Sequence, residues 1–388
     1  MEDRNIVSEW KEQKLAEVAQ LVKEVYRPQK GDHLPYIGLE HIQEQKLRLK
    51  SIGDSDSVVS HKYYFKCNDI LFGKLRPYFR KVVNPNFDGV CSTDIWVIRA
   101  LKNNDQKFLF YFLANQEFVD TANSGDSGTR MPRADWDFVK DATWQFPSLP
   151  EQRAIAAVFS SLDDKIDLLH RQNKTLESLA ATLWRYYFDD NRQEIWGKCM
   201  VKDIADHEKQ SIHPRKTPDT IFYYYSIPAF DESKMPIKEY GVSIQSNKYL
   251  VSSNTILFSK LNPHKDKRLW LIPEDIPSNS VCSTEFQVLL PKLKVYSLFL
   301  YGFLNHPDNY DEIAAGVGGT SGSHQRIDPD VIFKFPCYLP STDILNEYNT
   351  KVEPIFNIMF CNKKQIQNLT YQRDALLPKI MSREIKVS

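Results

Sequence analysis

The sequence has no long hydrophobic run, no paired cysteines and no excess of charge of either sign, and each absence excludes a class of protein. No run of about 18 apolar residues is present, which excludes a membrane-spanning helix. The six cysteines stand singly, without neighbouring histidines at ligand spacing. We therefore expect reduced thiols in a core, with neither a disulfide framework nor a zinc site. The formal net charge of zero gives no global sign of an anionic partner.

The sequence also lacks the usual motifs of export and of catalysis. Its start, "MEDRNIVSEWKEQ", has no basic patch followed by an apolar stretch, which predicts a cytoplasmic protein. "GVGGTSG" (316–322) lacks the lysine of a phosphate-binding loop and is interpreted as a turn. "NPNF" (84–87) resembles a methyltransferase tetrapeptide, but no glycine-rich cofactor loop precedes it. No HExxH or GxSxG pattern occurs, so the sequence favours a non-catalytic protein.

What the sequence does contain is a repeat. "VCSTDIWVI" begins at Val90, and a near copy, "VCSTEFQVL", begins at Val281. "NDILFGKLRP" (68–77) matches "NTILFSKLNP" (254–263), aromatic-rich segments follow in both halves, and "FPSLP" from Phe146 resembles "FPCYLP" from Phe335. Because these blocks keep their order, we infer a duplicated unit of about half the chain.

The repeated phrase itself contains cysteine and two hydroxyl residues. We expect Cys91 and Cys282 to be small core residues at the start of equivalent strands, with the following serines and threonines as turn or phosphate-facing hydroxyls. The phrases diverge at Asp94 and Glu285, where two equivalent domains would begin to differ.

Each copy ends in a long amphipathic segment. Apolar residues recur at steps of three and four after Pro150 and again after Pro340, which predicts two long helices with a coiled-coil seam. An antiparallel pair would cover both seams; alternatively, each helix buries its stripe in its own domain. Asn173 and Asn362 lie on the seams, where they set the register or stand at the rim. Pro354 and Pro378 should start, kink or stop the second helix.

These patterns predict an α+β protein with two pseudo-symmetric α/β globules separated by a pair of long antiparallel coiled-coil helices. The predicted bounds are 1–149 for the first globular domain, 150–190 for a central spacer helix, 191–340 for the second globular domain and 341–388 for a C-terminal spacer helix.

Basic turns occupy the same place in both copies and are the candidate DNA contacts. Basic and aromatic side chains together suit phosphates and base edges, although solvated surface turns are the simpler alternative. A second pair of loops carries arginine or histidine after a Ser-Gly turn. The candidate residues are Lys74, Arg76, Arg80 and Lys81 with Lys260, Lys265, Lys267 and Arg268 in the turns, and Arg130 and Arg133 with His324 and Arg326 in the second loops.

Several segments together resemble the specificity subunit of Type I restriction-modification systems. They are "LPYIGLEHI" (34–42), "FPSLPEQRAIAAVFSSLDDKI" (146–166), "YYYSIPAFDESKMP" (223–236), "SKLNPHKDKRLW" (259–270) and "QRDALLPKIMSREI" (372–385). The resemblance spans nearly the whole chain. One departure is "LPSTD" in the second copy where the first has "LPEQ", which leaves the start of the second helix and its partner surface less defined.

The resemblance implies two target-recognition domains, each reading one half of a split double-stranded DNA target, with the helices as a ruler. It implies as partners two modification subunits, which bind S-adenosylmethionine and methylate adenine, and a restriction subunit. It also implies that this chain has no catalytic residue and no cofactor of its own. The alternatives are a two-headed scaffold that binds proteins and a stand-alone nuclease or methyltransferase.

The residue patterns and the family resemblance together lead to predictions about geometry and about individual residues. Two-headed readers of the major groove contact half-sites about 34 Å apart, which we expect here. Lys74 and Lys265 are expected to contact phosphates, and Arg76 and Arg130 to read bases.

Overall fold

The computed structural model describes residues 10–125, 131–316 and 325–387, and the chain divides into two units. The first unit runs up to Lys165 and includes the residues from Leu369 onward, and the second is Ile166–Asn368. Both boundaries fall inside long helices. Each unit therefore consists of one sheet-rich domain and a part of each helix.

The first unit contains three sheets. One pairs β1 with β11, a four-stranded sheet has the order β2-β10-β7-β8, and a five-stranded sheet has the order β3-β6-β9-β4-β5. The strands are β1 (Lys11–Lys14), β2 (Ala19–Val22), β3 (Val25–Tyr26), β4 (Pro35–Ile37), β5 (Gly53–Asp54), β6 (Lys62–Phe65), β7 (Ile70–Gly73), β8 (Val82–Val83), β9 (Gly89–Cys91), β10 (Ile95–Ala100) and β11 (Thr143–Phe146). The helices are α1 (Leu15–Val18), α2 (Gln106–Ala114), α3 (Gln116–Ser124), α4 (Trp136–Asp141) and the first part of α5 (Leu149–Arg185).

The four-stranded sheet is the middle layer of this unit, and its central strand shows why. In β10, Ile95 and Val97 are fully buried in a cluster shared with the five-stranded sheet, whereas Trp96 and Ile98 belong to the cluster shared with the helices. Side chains alternate between the two faces of a strand, so a strand that is apolar at every position is covered on both faces.

The second unit repeats this architecture. Its sheets have the orders β12-β22, β13-β21-β18-β19 and β14-β17-β20-β15-β16, which are those of the first unit with every strand replaced by its counterpart. The strands are β12 (Gly197–Met200), β13 (Ala205–Glu208), β14 (Ser211–Ile212), β15 (Ile221–Tyr225), β16 (Ile237–Tyr240), β17 (Lys248–Leu250), β18 (Ile256–Ser259), β19 (Leu269–Leu271), β20 (Ser280–Cys282), β21 (Phe286–Pro291) and β22 (Pro336–Leu339). The helices are α6 (Val201–Ile204), α7 (Ile227–Ser233), α8 (Tyr296–Asn305), α9 (Pro307–Ala315), α10 (Pro329–Phe333) and α11 (Thr342–Met381), the last of which ends in the first unit.

The strand registers correct one part of the repeat. Lys11 pairs with Phe146 in the first unit, and its counterpart Gly197 pairs with Leu339. Phe146 therefore corresponds to Leu339, and the apparent match between "FPSLP" and "FPCYLP" is displaced by four residues. With this register, the starts of α5 and α11 also correspond.

The two long helices are antiparallel within the second unit. The Asn362 amide donates to Asn173 Oδ1 at 2.9 Å. Just past the end of α5, the Tyr187 hydroxyl donates to Glu347, nearer the start of α11, at 2.6 Å. Both asparagines are 8% exposed. Their predicted position on the seams is confirmed, because each makes its hydrogen bond to the other.

The prolines of α11 and the end of α5 differ from expectation. Pro354 and Pro378 neither start nor stop α11, which continues unbroken from Thr342 to Met381. Each proline removes one backbone donor, and the helix tolerates this because its other backbone bonds and its packed face remain. At its end, α5 passes into a π-helical turn, Tyr186–Asp190.

The cysteines are only partly core residues. Cys91 and Cys282 are fully buried, as expected, but Cys67 and Cys361 are exposed. Burial raises the pKa of the Cys282 thiol to about 12 and that of Cys91 further still, so neither is a reactive thiolate. All six are free thiols.

Candidate nucleic-acid interface

In the first unit, three segments that lie far apart in the sequence meet at one junction. The Lys74 amide donates to Asp94 O at 2.9 Å, and the Lys74 carbonyl accepts from Ala134 at 2.8 Å. The Arg133 guanidinium stands 3.5 Å from the Asp94 carboxylate. The basic turn, the second basic loop and the middle of the repeated phrase are therefore held together by main-chain bonds.

The second unit builds the same junction. The Lys260 amide donates to Glu285 O at 2.8 Å, and the Lys260 carbonyl accepts from Ile327 at 3.1 Å. Arg326 forms a two-pronged ion pair with Glu285, both bonds being 2.9 Å. Leu75 bridges to Arg133 in one unit and Leu261 to Arg326 in the other, which shows that the duplication extends to the loops.

The repeated phrase is the link that makes this junction. Cys91 and Cys282 end β9 and β20 rather than starting strands, and the chain then turns into β10 and β21 in another sheet. The Ser92 hydroxyl accepts from the Asp94 amide at 3.2 Å, and the Ser283 hydroxyl accepts from the Glu285 amide at the same distance. These two hydroxyls stabilise the turn, which accounts for one of the two roles expected of them.

Several predicted cations stay at the surface of the junctions. Arg133 and Arg326 are 58% and 53% exposed in their side chains, and Lys265 is exposed. Lys74 and Lys260 are half-buried. The pKa of Lys260 is lowered, first by burial and then by the neighbouring positive charges of Arg326 and Lys209, with Glu285 opposing.

Arg76 has a conformation and a donor that need explanation. Its φ is 52°, in the left-handed region, and its amide donates to Pro132 O at 2.8 Å. Its Nε is buried and has no hydrogen-bond partner among the residues that the structure describes. A buried unpaired donor costs about 1–3 kcal/mol, so a strained backbone and an unpaired donor occur together at this turn.

Arg130 and His324 lie outside the described residues.

Comparison with known proteins finds a family that matches the first part of this chain. The family of Type I restriction modification DNA specificity domains matches residues 7–178. The MjaIX specificity subunit of Methanocaldococcus jannaschii is 26% identical over 311 residues, covering 72% of this chain and 69% of the relative. The EcoDI specificity subunit of Escherichia coli is 26% identical over 191 residues, covering 47% of this chain and 43% of the relative.

The crystal structure of the S subunit of a Type-I restriction-modification system from M. genitalium has the same fold from end to end. It superposes with a TM-score of 0.58 at 16% identity and covers 97% of both chains. Residues 7–178 belong to the family of Type I restriction modification DNA specificity domains. The family role is DNA specificity and not catalysis, which favours a DNA reader over a protein-binding scaffold or a stand-alone enzyme.

Two predicted contact residues bind the ends of helices, and of these Arg80 is buried and Lys267 is exposed. Gly73 donates to Lys81 O and Ser259 donates to Arg268 O, so the residues just before, Arg80 and Lys267, correspond to one another. Arg80 Nε donates to the last carbonyl of α2, and Lys267 Nζ donates to the last carbonyl of α8, both at 2.6 Å. A cation there satisfies an orphan carbonyl and the helix dipole.

The next two cations of the turns are also occupied. Lys81 Nζ donates to Leu39 O at 2.9 Å and lies 3.3 Å from Glu44. Arg268 is 11% exposed in its side chain and is held by Asp231 at 2.6 and 2.8 Å. Because Arg80, Lys81, Lys267 and Arg268 are bound within the subunit, we remove them from the proposed DNA contacts. The sequence alone could not reveal the helix ends that Arg80 and Lys267 cap, nor the partners of Lys81 and Arg268.

One cation in each unit was not identified from the sequence. Lys209 follows β13 and lies close enough to Lys260 and His207 to lower both of their pKa values. Its counterpart Lys23 follows β2. The pKa of Asp137 is lowered first by Lys140, and Lys23 adds to this. Their flanking residues, "LVKEV" and "HEKQS", are too different to align, and only the matching strands reveal the pair.

The described part of the subunit holds no cluster of three metal-ligating side chains. In the same residues, no helix has both the length and the apolar character needed to span a bilayer.

Proposed function

We propose that each recognition domain reads one half of a bipartite double-stranded DNA target through its junction. The proposed domains are residues 1–149 and 191–340. The observation that carries the proposal is the duplicated junction: an identical main-chain frame presents Arg133 beside Asp94 in one unit and Arg326 beside Glu285 in the other. Two half-sites of different sequence can be read by the same main-chain arrangement if it carries different side chains in each unit.

The chemistry of these pairs suits base edges. A guanidinium donates two hydrogen bonds to guanine O6 and N7, and a carboxylate accepts from the cytosine amino group. An arginine beside a carboxylate therefore presents donors and an acceptor side by side. Lys74, Lys260 and Lys265, with Lys23 and Lys209, would contact phosphates around each pair. Arg76, which is half-buried, is a further proposed contact.

We further propose that the spacer helices, residues 150–190 and 341–388, set the separation of the half-sites and dock two modification subunits and a restriction subunit. In this assembly S-adenosylmethionine belongs to the modification subunits, and this subunit supplies no cofactor. The complex would act in the cytoplasm.

Single substitutions test the assignment of one junction to one half-site. In complex with modification subunits, Arg326→Ala should relax recognition of one half of the target and Arg133→Ala the other half, each by about 10- to 100-fold in discrimination. The measurements are sequencing of methylated adenines and competition binding with half-site variants.

The matched control for these arginines is Lys102→Ala. Lys102 is exposed and follows the far end of β10 from Asp94, so it removes a surface charge away from the junction. Lys74→Ala should weaken binding to all sequences alike and reduce the salt dependence by about one ion. If Arg133→Ala and Arg326→Ala left both half-sites unaltered, the base-reading role of the junctions would be withdrawn.

A further inference from the structure

The second unit contains a cavity of about 390 Å³ that the DNA-binding role does not use. It lies between the last turns of α5, the helices α7 and α8, and the first half of α11. Aromatic residues that line it include Phe230, Trp184 and Tyr301. The charged residues that line it are Lys234, Lys267, Arg185 and Glu177. This volume falls in the range of sites for small molecules, which are mostly apolar with a few placed polar groups.

The same place in the first unit is filled by an ion network. The Tyr111 hydroxyl and Arg373 Nη1 both donate to Asp163 at 2.8 Å. Arg80 lies 3.6 Å from Asp374, which also accepts from Arg373 at 3.0 Å. A phenol ring and two carboxylates therefore occupy this space, with the guanidinium of Arg80 at its edge.

The correspondence between the units shows how the cavity arises. Gly302 is the third residue before the end of α8, as Tyr111 is before the end of α2. Counted from the starts of α5 and α11, Ala180 and Ala181 stand where Arg373 and Asp374 stand, and Phe356 stands where Asp163 stands. The second unit has therefore lost the ring and both carboxylates, and it has kept the cation as Lys267.

Lys267 is left without an acidic partner. Its Nζ donates to Asn305 O at 2.6 Å and lies 4.6 Å from the centre of the Tyr310 ring, and it forms no ion pair with the residues that the structure describes. Desolvation lowers its pKa, and Asp311 opposes this only at a distance. The other cation on this side, Lys234, is paired with Glu177 at 3.2 Å. Lys267 is exposed, and a cation with no counter-charge beside it can pair with an anion from outside.

The aromatic wall is fixed before any ligand arrives. Trp184 Nε1 donates to Phe299 O at 3.0 Å, and a carbon attached to Gly302 would come within 2.1 Å of the indole. The glycine thus leaves room for the indole, and the hydrogen bond holds it in place.

We propose that this cavity binds a small aromatic anion, with its ring against Trp184 and Tyr301 and its anionic group on Lys267. The first unit shows the complementary groups, because Tyr111 and the carboxylates of Asp163 and Asp374 fill the equivalent space. The ligand chemistry is a planar ring carrying a phosphate or a carboxylate. The proposal is independent of DNA reading, since none of the junction residues lines the cavity.

Calorimetric titration of the full chain tests the ligand class. The probes are adenosine 5′-monophosphate and 4-hydroxyphenylacetate as aromatic anions, adenosine as a ring without charge, and inorganic phosphate as a charge without a ring. At least one aromatic anion should bind saturably with one site, and at least tenfold more tightly than adenosine and phosphate. The two aromatic probes distinguish a nucleotide from an aromatic carboxylate. Absence of saturable binding by both aromatic anions overturns the proposal.

A substitution that restores the internal carboxylate tests the site. Ala181→Asp gives Lys267 the counter-ion that Arg80 has, and it should weaken binding of the aromatic anion at least tenfold. Ala181→Asn has the same size without the charge, and it should change the affinity less than twofold. Position 181 is exposed on α5, so both variants should fold. Equal effects of Asp and Asn would contradict the role of charge.

A second control separates this site from the DNA-binding surface. Arg326→Ala should leave the affinity for the aromatic anion unchanged, and Ala181→Asp should leave DNA binding unchanged. If Arg326→Ala abolished anion binding while Ala181→Asp did not, the anion would be bound at the junction and the cavity proposal would be overturned.

Discussion

The two units have the same main-chain topology but differ in some of the side chains that are buried in it. Both bury a lysine whose Nζ donates to the serine two residues earlier, Lys62 to Ser60 and Lys248 to Ser246. By contrast, the ion network around Arg373 in the first unit has become alanine, phenylalanine and a cavity in the second. Main-chain pairing constrains every residue of a strand at once, whereas buried side chains are exchanged a few at a time. Duplicated domains therefore diverge first in their side chains.

The largest expected effect on stability comes from replacing Arg373 with alanine, the residue at the equivalent position of the second unit. This side chain is 3% exposed and bonds to Asp163 and Asp374. Arg373→Ala leaves both carboxylates without their partner and should lower the free energy of unfolding by about 3 kcal/mol. Calorimetric melting of the full chain measures this. A loss under about 1 kcal/mol would mean that the network adds little beyond filling space.

A smaller, pH-dependent effect is expected at His207, whose counterpart in the first unit is Leu21. Burial, with help from Lys209 and Lys260, lowers the pKa of His207 to about 4 from its usual 6.5. The unfolded chain therefore binds a proton more readily than the folded one, so this group's contribution to stability is lost as the pH falls from about 6.5 towards 4.

His207→Leu should remove that loss, which is about 1–2 kcal/mol after allowing for partial exposure. Melting temperatures of the parent and the variant should therefore converge or cross between pH 7 and pH 4.5. Parallel pH profiles of the two proteins would show that His207 does not titrate in this range.

A third effect, of the same order as that at His207, concerns the hydrogen bond between Asn173 and Asn362. Asn362→Ala leaves the Asn173 amide oxygen buried without a donor and should cost about 1–2 kcal/mol. Replacing both with leucine removes the unpaired group and should restore most of that loss, at the expense of register specificity. The two variants can be compared by melting, and a double variant as unstable as the single one would contradict this account.

The order of elements followed from the sequence because it depends on local patterns and on the repeat. Apolar steps of three and four located α5 and α11, and the shared phrase located β10 and β21. The role of Arg80 could not be obtained this way, since its guanidinium is buried only because α2 ends at Ala114, beside the turn. The sequence match of Phe335 with Phe146 was displaced by four residues for a similar reason. The register of a strand depends on its partner strand, which lies far along the chain.

The paired strands β1 with β11, and β12 with β22, have a consequence for how this protein can change. Each pair brings the start and the end of a recognition domain side by side, immediately before a spacer helix. Each pair forms a two-stranded neck. The chain enters the first domain at Lys14 and leaves it at Thr143, and it enters the second at Met200 and leaves it at Pro336. The long helices share a hydrophobic core with each domain, so a domain of different sequence can enter the chain at these two-stranded necks only if it also packs against those helices.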